Sequence, residues 1–76
     1  MKELIGVREL AAFLGVSPGT ITHYTQLGLL EITEISGNKK LYNKKDILKR
    51  FERIQQARKD GYPLVLIRGL LEESKY

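Results

Sequence analysis

The 76-residue sequence predicts a mainly α-helical fold in which two short helices, a β-hairpin and two further helices follow one another. Three observations predict it. Apolar residues recur at the spacing of a helix stripe in successive segments. Glycines follow these segments where helices would end. A Ser-Gly-Asn turn separates two short extended stretches between the second and third helices.

The first two helices are expected between about residues 7 and 27. Residues 7–14 have apolar side chains at 7, 10, 11 and 14, and Gly15 follows in the position of a C-cap. The second helix starts at Ser17-Pro18, because Ser caps a helix and Pro is tolerated at the first helical position. Its buried side is expected to consist of Ile21, Tyr24 and Leu27. Two short helices joined by a tight turn form a helix-turn-helix.

The hairpin is expected over about residues 32–42. The side chains of ITEI alternate between two sides, as in a strand, SGN is a typical turn sequence, and KKLY forms the returning strand. Asn43 with Asp46 three residues later resembles a capping box, so the third helix is expected over about residues 44–60. Pro63 opens a fourth helix to about residue 73. A hairpin beside a helix-turn-helix is a wing, and we therefore predict one winged helix-turn-helix domain over residues 1–76.

Charge is distributed unevenly along the chain. The net charge is +4, but residues 39–59 contain nine Lys or Arg against Asp46 and Glu52, so that segment carries +7 and the remainder −3. The second helix has no Lys and no Arg. A basic block beside an acidic remainder indicates a polyanionic partner on one face. The alternative is a solvated helix face.

Composition excludes several classes of function. The chain has no Cys and a single His, so neither a thiolate metal site nor a disulfide is expected. No nucleophile–base pair is visible, and we expect no catalytic residues and no cofactor. No apolar run approaches the roughly 20 residues that span a bilayer. The expectation is a cytoplasmic, nucleoid-associated protein without a membrane partner.

Specific motifs extend over nearly the whole chain. VRELAAFLGVSPGTITHYTQLGLL, KKLYNKKDI and GYPLVLIRGLL occur in that order. With them, the sequence resembles the DNA-binding domain of the mercury-resistance regulator (MerR) family over about residues 5–72. The resemblance implies a winged helix that binds double-stranded DNA in transcription control. It also implies recognition of an inverted repeat and distortion of promoter DNA.

The second helix departs from the family pattern. The family usually has Arg where Gly19 and Thr22 stand, Tyr where His23 stands and Glu where Thr25 stands. The family's long C-terminal dimerisation helix and effector domain have no counterpart here. We therefore expect either a fragment of a larger regulator or a stand-alone small regulator with its own operator sequence.

The resemblance gives the second helix the role of a recognition helix. Contacts to DNA are expected from its exposed residues, which are Ser17, Gly19, Thr20, Thr22 and His23. Hydroxyls bond base edges or phosphates, a Thr methyl contacts a thymine methyl, and a glycine permits close approach of the backbone. The alternative is a polar solvated face.

Phosphate contacts are expected from the wing and from the start of the third helix. Asn38, Lys39 and Lys40 lie at the hairpin tip and return strand, where Lys neutralises phosphate. Lys44 and Lys45 fall in the first turn of the third helix, where the macrodipole disfavours cations. Cations held in an unfavourable position invite a functional explanation.

Further candidates lie outside these two groups. Tyr42 either contacts DNA or packs under the wing, and both interpretations stay open. Tyr62 follows the third helix, in a region that the family uses as a second wing. Arg8 begins the first helix and could reach phosphate. Val65 and Leu66 are apolar residues outside the core stripe of the fourth helix, so they are candidates for a partner surface.

The function predicted from the sequence is specific binding of double-stranded DNA in transcription regulation. An excisionase-like architectural DNA-binding protein and a protein-interaction module that kept the fold are the alternatives. We expect self-association on DNA, or through a C-terminal segment that this sequence lacks. An uncharged recognition helix favours cooperative binding of several domains, since one domain alone buries little surface on DNA.

Overall fold

Four helices and three short strands follow one another in the computed structural model, which describes residues 3–73. In chain order they are β1 (Leu4–Gly6), α1 (Val7–Leu14), α2 (Pro18–Gln26), β2 (Glu34–Ser36), β3 (Lys39–Asn43), α3 (Lys44–Lys59) and α4 (Leu64–Glu72). This arrangement confirms the predicted winged helix-turn-helix, with β2 and β3 as the wing.

Local capping explains the turn between α1 and α2. Gly15 has a φ of 74°, and its backbone N–H donates to the carbonyl oxygens at the end of α1. Such a left-handed residue is the usual C-terminal cap. Ser17 caps α2, since its side-chain oxygen accepts from the N–H of Thr20 at 3.2 Å. The predicted boundary of α2 is wrong by one residue, because Leu27 is the cap rather than the last helical residue.

The wing belongs to a three-stranded antiparallel sheet in the order β1-β3-β2. Ile5 pairs with Tyr42 and Ile35 pairs with Lys40. The sequence did not predict β1, because three residues are too few for a periodic signal and only pairing with β3 makes them a strand. Strand β2 begins at Glu34, two residues after the predicted start of the hairpin. Ile32 packs against the core instead.

Helices α3 and α4 complete the fold. Asn43 caps α3 by accepting from the N–H of Asp46 at 3.1 Å, as the capping signal predicted. The buried side of α3 consists of Ile47, Phe51, Ile54 and Ala57. Pro63 is the N-cap of α4, so that helix begins one residue after the predicted start.

One hydrophobic core joins all these elements except β2, whose three residues are exposed. Strands β1 and β3, the segment after α2 and all four helices contribute to it through Ile5, Leu10, Ala11, Ile21, Tyr24, Leu29, Leu30, Tyr42, Ile47, Phe51, Ile54, Ala57, Ile67 and Leu71. The core therefore holds the recognition helix, the wing and the long helix in one unit. None of the helices in residues 3–73 is long and apolar enough to cross a membrane.

Candidate nucleic-acid interface

A surface groove brings together three elements that are far apart in sequence. The start of α1, the first half of α2 and the tip of the wing line it, through Gly6, Val7, Arg8, Glu9, Pro18, Thr22, Asn38, Lys39 and Lys40. Four of the residues predicted to contact DNA are in this set. The recognition helix and the wing thus lie side by side on one surface.

The wing lysines are presented to solvent at this groove. Lys39 and Lys40 are both exposed, and within residues 3–73 neither forms an ion pair or a side-chain hydrogen bond. The stem of Lys39 crosses Gly6, where an added Cβ would lie 3.3 Å from Cε of the lysine. A Cβ at position 6 would therefore require the far end of the Lys39 side chain to shift by a few tenths of an ångström.

The exposed side of α2 is polar and uncharged. Gly19, Thr22 and His23 are exposed there. Ser17 and Thr20 have a second role, because their hydroxyl oxygens lie 3.0 Å apart and Ser17 also caps the helix. A hydroxyl keeps spare acceptor capacity after one such bond, so these residues retain the chemistry needed to contact a base or phosphate.

Tyr42 is not on the surface, and its assignment as a contact residue must be corrected. Its side chain is 0% exposed. Its hydroxyl lies 2.8 Å from Oγ1 of Thr25, which also lies 2.7 Å from the carbonyl oxygen of Ile21. The packing alternative is therefore the one the structure supports. This part-buried hydroxyl pair joins β3 of the wing to α2.

The start of α3 carries two lysines with different surroundings. Nζ of Lys44 lies 3.6 Å from a carboxylate oxygen of Glu3 and 4.3 Å from the centre of the Phe13 ring. These two contacts offset the unfavourable helix dipole, so a phosphate is not needed to explain Lys44. Lys45 is exposed and has no such contact among the described residues. Lys45 remains the better candidate for a phosphate contact.

Tyr62 lies at the other end of α3. Its side chain is 37% exposed, and its backbone N–H donates to the carbonyl oxygen of Ala57 at 3.2 Å. It does not line the groove formed by α2 and the wing. A DNA contact at Tyr62 would therefore extend the interface beyond this groove.

The arginines of α3 bond the protein itself. Arg50 donates to the carbonyl oxygen of Leu29 at 2.9 Å, Arg53 to that of Leu71 at 3.4 Å, and Arg58 to the hydroxyl of Tyr24 at 3.2 Å. Burial, and then the nearby charge of Arg53, lower the pKa of Arg50, although an arginine stays charged at neutral pH. The basic segment therefore does not form one continuous DNA-facing surface.

The structure adds Arg8 to the residues that line the groove. The sequence offered Arg8 only as a possible phosphate contact, and the pairing of β1 with β3 is what places the start of α1 beside the wing. The signal in the sequence for this contact was a basic residue at the start of the first helix. Glu9 also lines the groove and gives it one acidic position.

Comparison with known proteins agrees with this geometry. A family model described as "MerR HTH family regulatory protein" matches residues 6–74. No curated protein and no solved structure gives a significant match to the chain. The matched region includes the helix-turn-helix, the wing, α3 and α4.

Proposed function

Because the chain belongs to the MerR HTH family of regulatory proteins, which bind DNA and control transcription, we propose that it reads a specific double-stranded sequence. Helix α2 enters the major groove in this proposal, and the wing follows the phosphate backbone. The groove shared by α2, the wing and Arg8 is the observation that carries it. Residues 1–76 together act as one DNA-binding unit. In this proposal the protein works at the nucleoid and needs no cofactor.

Charged and uncharged side chains have different roles in the proposed binding, the first in affinity and the second in specificity. In this proposal Lys39, Lys40, Lys45 and Arg8 neutralise phosphates, which supplies affinity for any sequence. The uncharged side of α2 then contributes hydrogen bonds and methyl contacts that depend on the base pair. The recognition helix therefore needs no Lys or Arg of its own, because the cations that bind phosphate lie on the neighbouring elements.

The decisive experiment compares a selected duplex with a random duplex of equal length. Sites are selected from genomic fragments, and binding is followed by fluorescence anisotropy. Thr22→Ala and His23→Ala should each weaken binding to the selected site by roughly 1–3 kcal/mol if a base contact is lost. Binding to the random duplex should hardly change. Gln55→Ala, on the exposed side of α3, is the control.

Two outcomes contradict the proposal. Equal affinity of the wild type for both duplexes would mean that the protein does not read sequence. Equal losses on both duplexes in the α2 variants would mean that these residues contact only the backbone. A DNA-bending measurement on the selected and the random duplex separates a regulator that distorts only its operator from an excisionase-like architectural protein that bends any bound duplex.

A protein-interaction module is the second candidate, and exposed apolar residues on α4 favour it. Val65 and Leu66 are 73% and 57% exposed. Salt distinguishes the two functions, since DNA affinity falls steeply as salt rises while apolar docking does not. Failure of the wild type to bind duplex DNA even at low salt would favour the module.

A further inference from the structure

Strand β2 carries an exposed apolar side chain at its centre. Ile35 is 63% exposed, whereas Ile5, on the other edge strand of the same sheet, is buried. Single exposed apolar residues are common on protein surfaces, so exposure alone assigns no role to Ile35. The residues around it in the sheet indicate what covers it.

Pairing in the sheet places Ile35 on the side of the wing that faces α2. Ile35 is the partner of Lys40, and directly opposite residues of antiparallel strands have their side chains on the same face. Tyr42 lies two residues from Lys40 on β3 and shares this face. Its hydroxyl lies 2.8 Å from Oγ1 of Thr25 on α2. Ile35 and Lys40 therefore continue, beyond the core, the face of the sheet that packs on α2.

Lys40 lies between Ile35 and the groove. Lys40 lines the groove with Arg8 and with Thr22 of α2, whereas Ile35 is one strand further out, about 4.8 Å at the usual strand spacing. In the proposed complex α2 occupies the major groove and Lys40 neutralises a phosphate at its edge. The minor groove begins on the other side of that phosphate backbone. The pairing of Ile35 with Lys40 thus carries an apolar side chain to the minor groove.

The surroundings of Ile35 match a duplex better than a polypeptide. Strand β2 has only three residues, and very short edge strands resist the addition of another strand. Lys40 forms no ion pair within residues 3–73, so an unpaired cation stands beside the apolar side chain. Duplex DNA offers anionic phosphates for the first and the apolar sugar walls of the minor groove for the second, where proteins commonly insert apolar side chains.

We infer that Ile35 enters the minor groove next to the major groove occupied by α2 and selects base pairs that lack a guanine amino group. This inference rests on the proposed DNA binding. In the minor groove, G·C pairs differ from A·T pairs by the N2 amino group of guanine. That group occupies the space that the side chain would fill, and an apolar side chain cannot accept its hydrogen bond. The wing therefore adds a preference for A·T to the readout by α2.

The test scans the selected duplex with a base pair that distinguishes the two grooves. Each A·T pair is replaced in turn by G·C and by inosine·C, which lacks the N2 amino group but keeps the major-groove edge of G·C. At the pairs beneath the wing, G·C should weaken binding of the wild type roughly tenfold, as one unfavourable base pair does, and inosine·C should not. Ile35→Ala should bind the unchanged duplex roughly tenfold more weakly and should lose the discrimination at those pairs.

Two further variants are the controls. Val65→Ala truncates an exposed apolar side chain on α4 and should leave binding to every duplex unchanged. Ile35→Val keeps the branched shape and most of the apolar surface, so it should keep most of the discrimination. The slope of log affinity against log salt should be the same in all variants, because none of them removes a cation. Binding is measured by fluorescence anisotropy under conditions where denaturation curves show every variant to be folded.

Two outcomes would overturn the inference. Wild-type affinity and discrimination in Ile35→Ala would remove Ile35 from the DNA interface, and weaker self-association of that variant in sedimentation would then assign the side chain to a second copy. Equal weakening by inosine·C and G·C at the pairs that depend on Ile35 would place it at a thymine methyl in the major groove instead.

Failure of the inference and failure of the proposed function are distinguishable. A wild type that reads the selected site through Thr22, but shows no effect of Ile35→Ala, would overturn the inference and leave the function in place. A wild type that binds no duplex even at low salt would reject the function itself.

Discussion

The lysines of the wing and the arginines of α3 lie within the same basic segment, yet these cations have different partners. Lys39 and Lys40 extend from the wing into solvent at the groove. Arg50, Arg53 and Arg58 turn back and bond Leu29, Leu71 and Tyr24. A count of charges over residues 39–59 assigns both groups to one partner surface, whereas the structure separates them.

The side-chain chemistry explains the difference. A guanidinium group presents several N–H donors in a fixed plane and is weakly hydrated, so it bonds carbonyl and hydroxyl oxygens near the core. An ammonium group on a flexible stem is strongly hydrated and stays in water until a phosphate replaces that hydration. A basic segment is therefore better interpreted residue by residue than as a sum of charges.

The largest effect is expected at the wing. Replacing both Lys39 and Lys40 with Ala should weaken binding to specific and random DNA alike by roughly a hundredfold, about 2.7 kcal/mol. The slope of log affinity against log salt should fall by about 0.9 for each lost phosphate contact. The free energy of unfolding should be nearly unchanged. Lys49→Ala is the control, and an equal loss in that variant would mean that the charge acts without regard to position.

Arg50→Met should have the opposite effect, lowering the stability of the fold and leaving the salt dependence of DNA binding unchanged. Loss of the bond to the carbonyl oxygen of Leu29 should lower the free energy of unfolding by about 2 kcal/mol, because a buried acceptor loses a charged donor. The salt slope of DNA binding should stay unchanged. Chemical denaturation and anisotropy measure the two quantities. A stable variant with a reduced slope would place Arg50 among the DNA-binding cations instead.

Tyr42→Phe should cost less, about 1 kcal/mol of unfolding free energy. The hydroxyl partner of Tyr42 is Thr25, which keeps its bond to the carbonyl oxygen of Ile21. DNA affinity, measured where the variant is fully folded, should match the wild type. Weaker binding with undiminished stability would show that the hydroxyl acts at the DNA surface and that its assignment to the core is wrong.

The smallest effects separate two adjacent lysines. Lys44→Ala should lower stability by about 0.5 kcal/mol, the usual size for a surface ion pair, and should leave the salt slope alone. Lys45→Ala should leave stability alone and lower the slope by about 0.9. Identical behaviour of the two variants would mean that the contacts of Lys44 with Glu3 and Phe13 do not give it a different role from Lys45.

Prediction from sequence succeeded where the signals are local. Gly15, Ser17 and Asn43 each satisfy backbone groups within four residues of themselves, so the ends of α1, α2 and α3 were predictable to about one residue. The buried side of α2 follows the same logic, since helical periodicity relates near neighbours, and Ile21 and Tyr24 are buried as predicted. These signals, with the family resemblance, were enough for the winged helix-turn-helix fold.

The sequence by itself determined the helices, the turns between them, the wing and the excess of positive charge. Tertiary structure alone decided that Leu4–Gly6 become a strand, that Tyr42 is buried beside Thr25, and that Arg8 joins the groove. It also decided which cations face outward. Each of these outcomes depends on a partner far along the chain, and no local pattern specifies which distant group a side chain will meet.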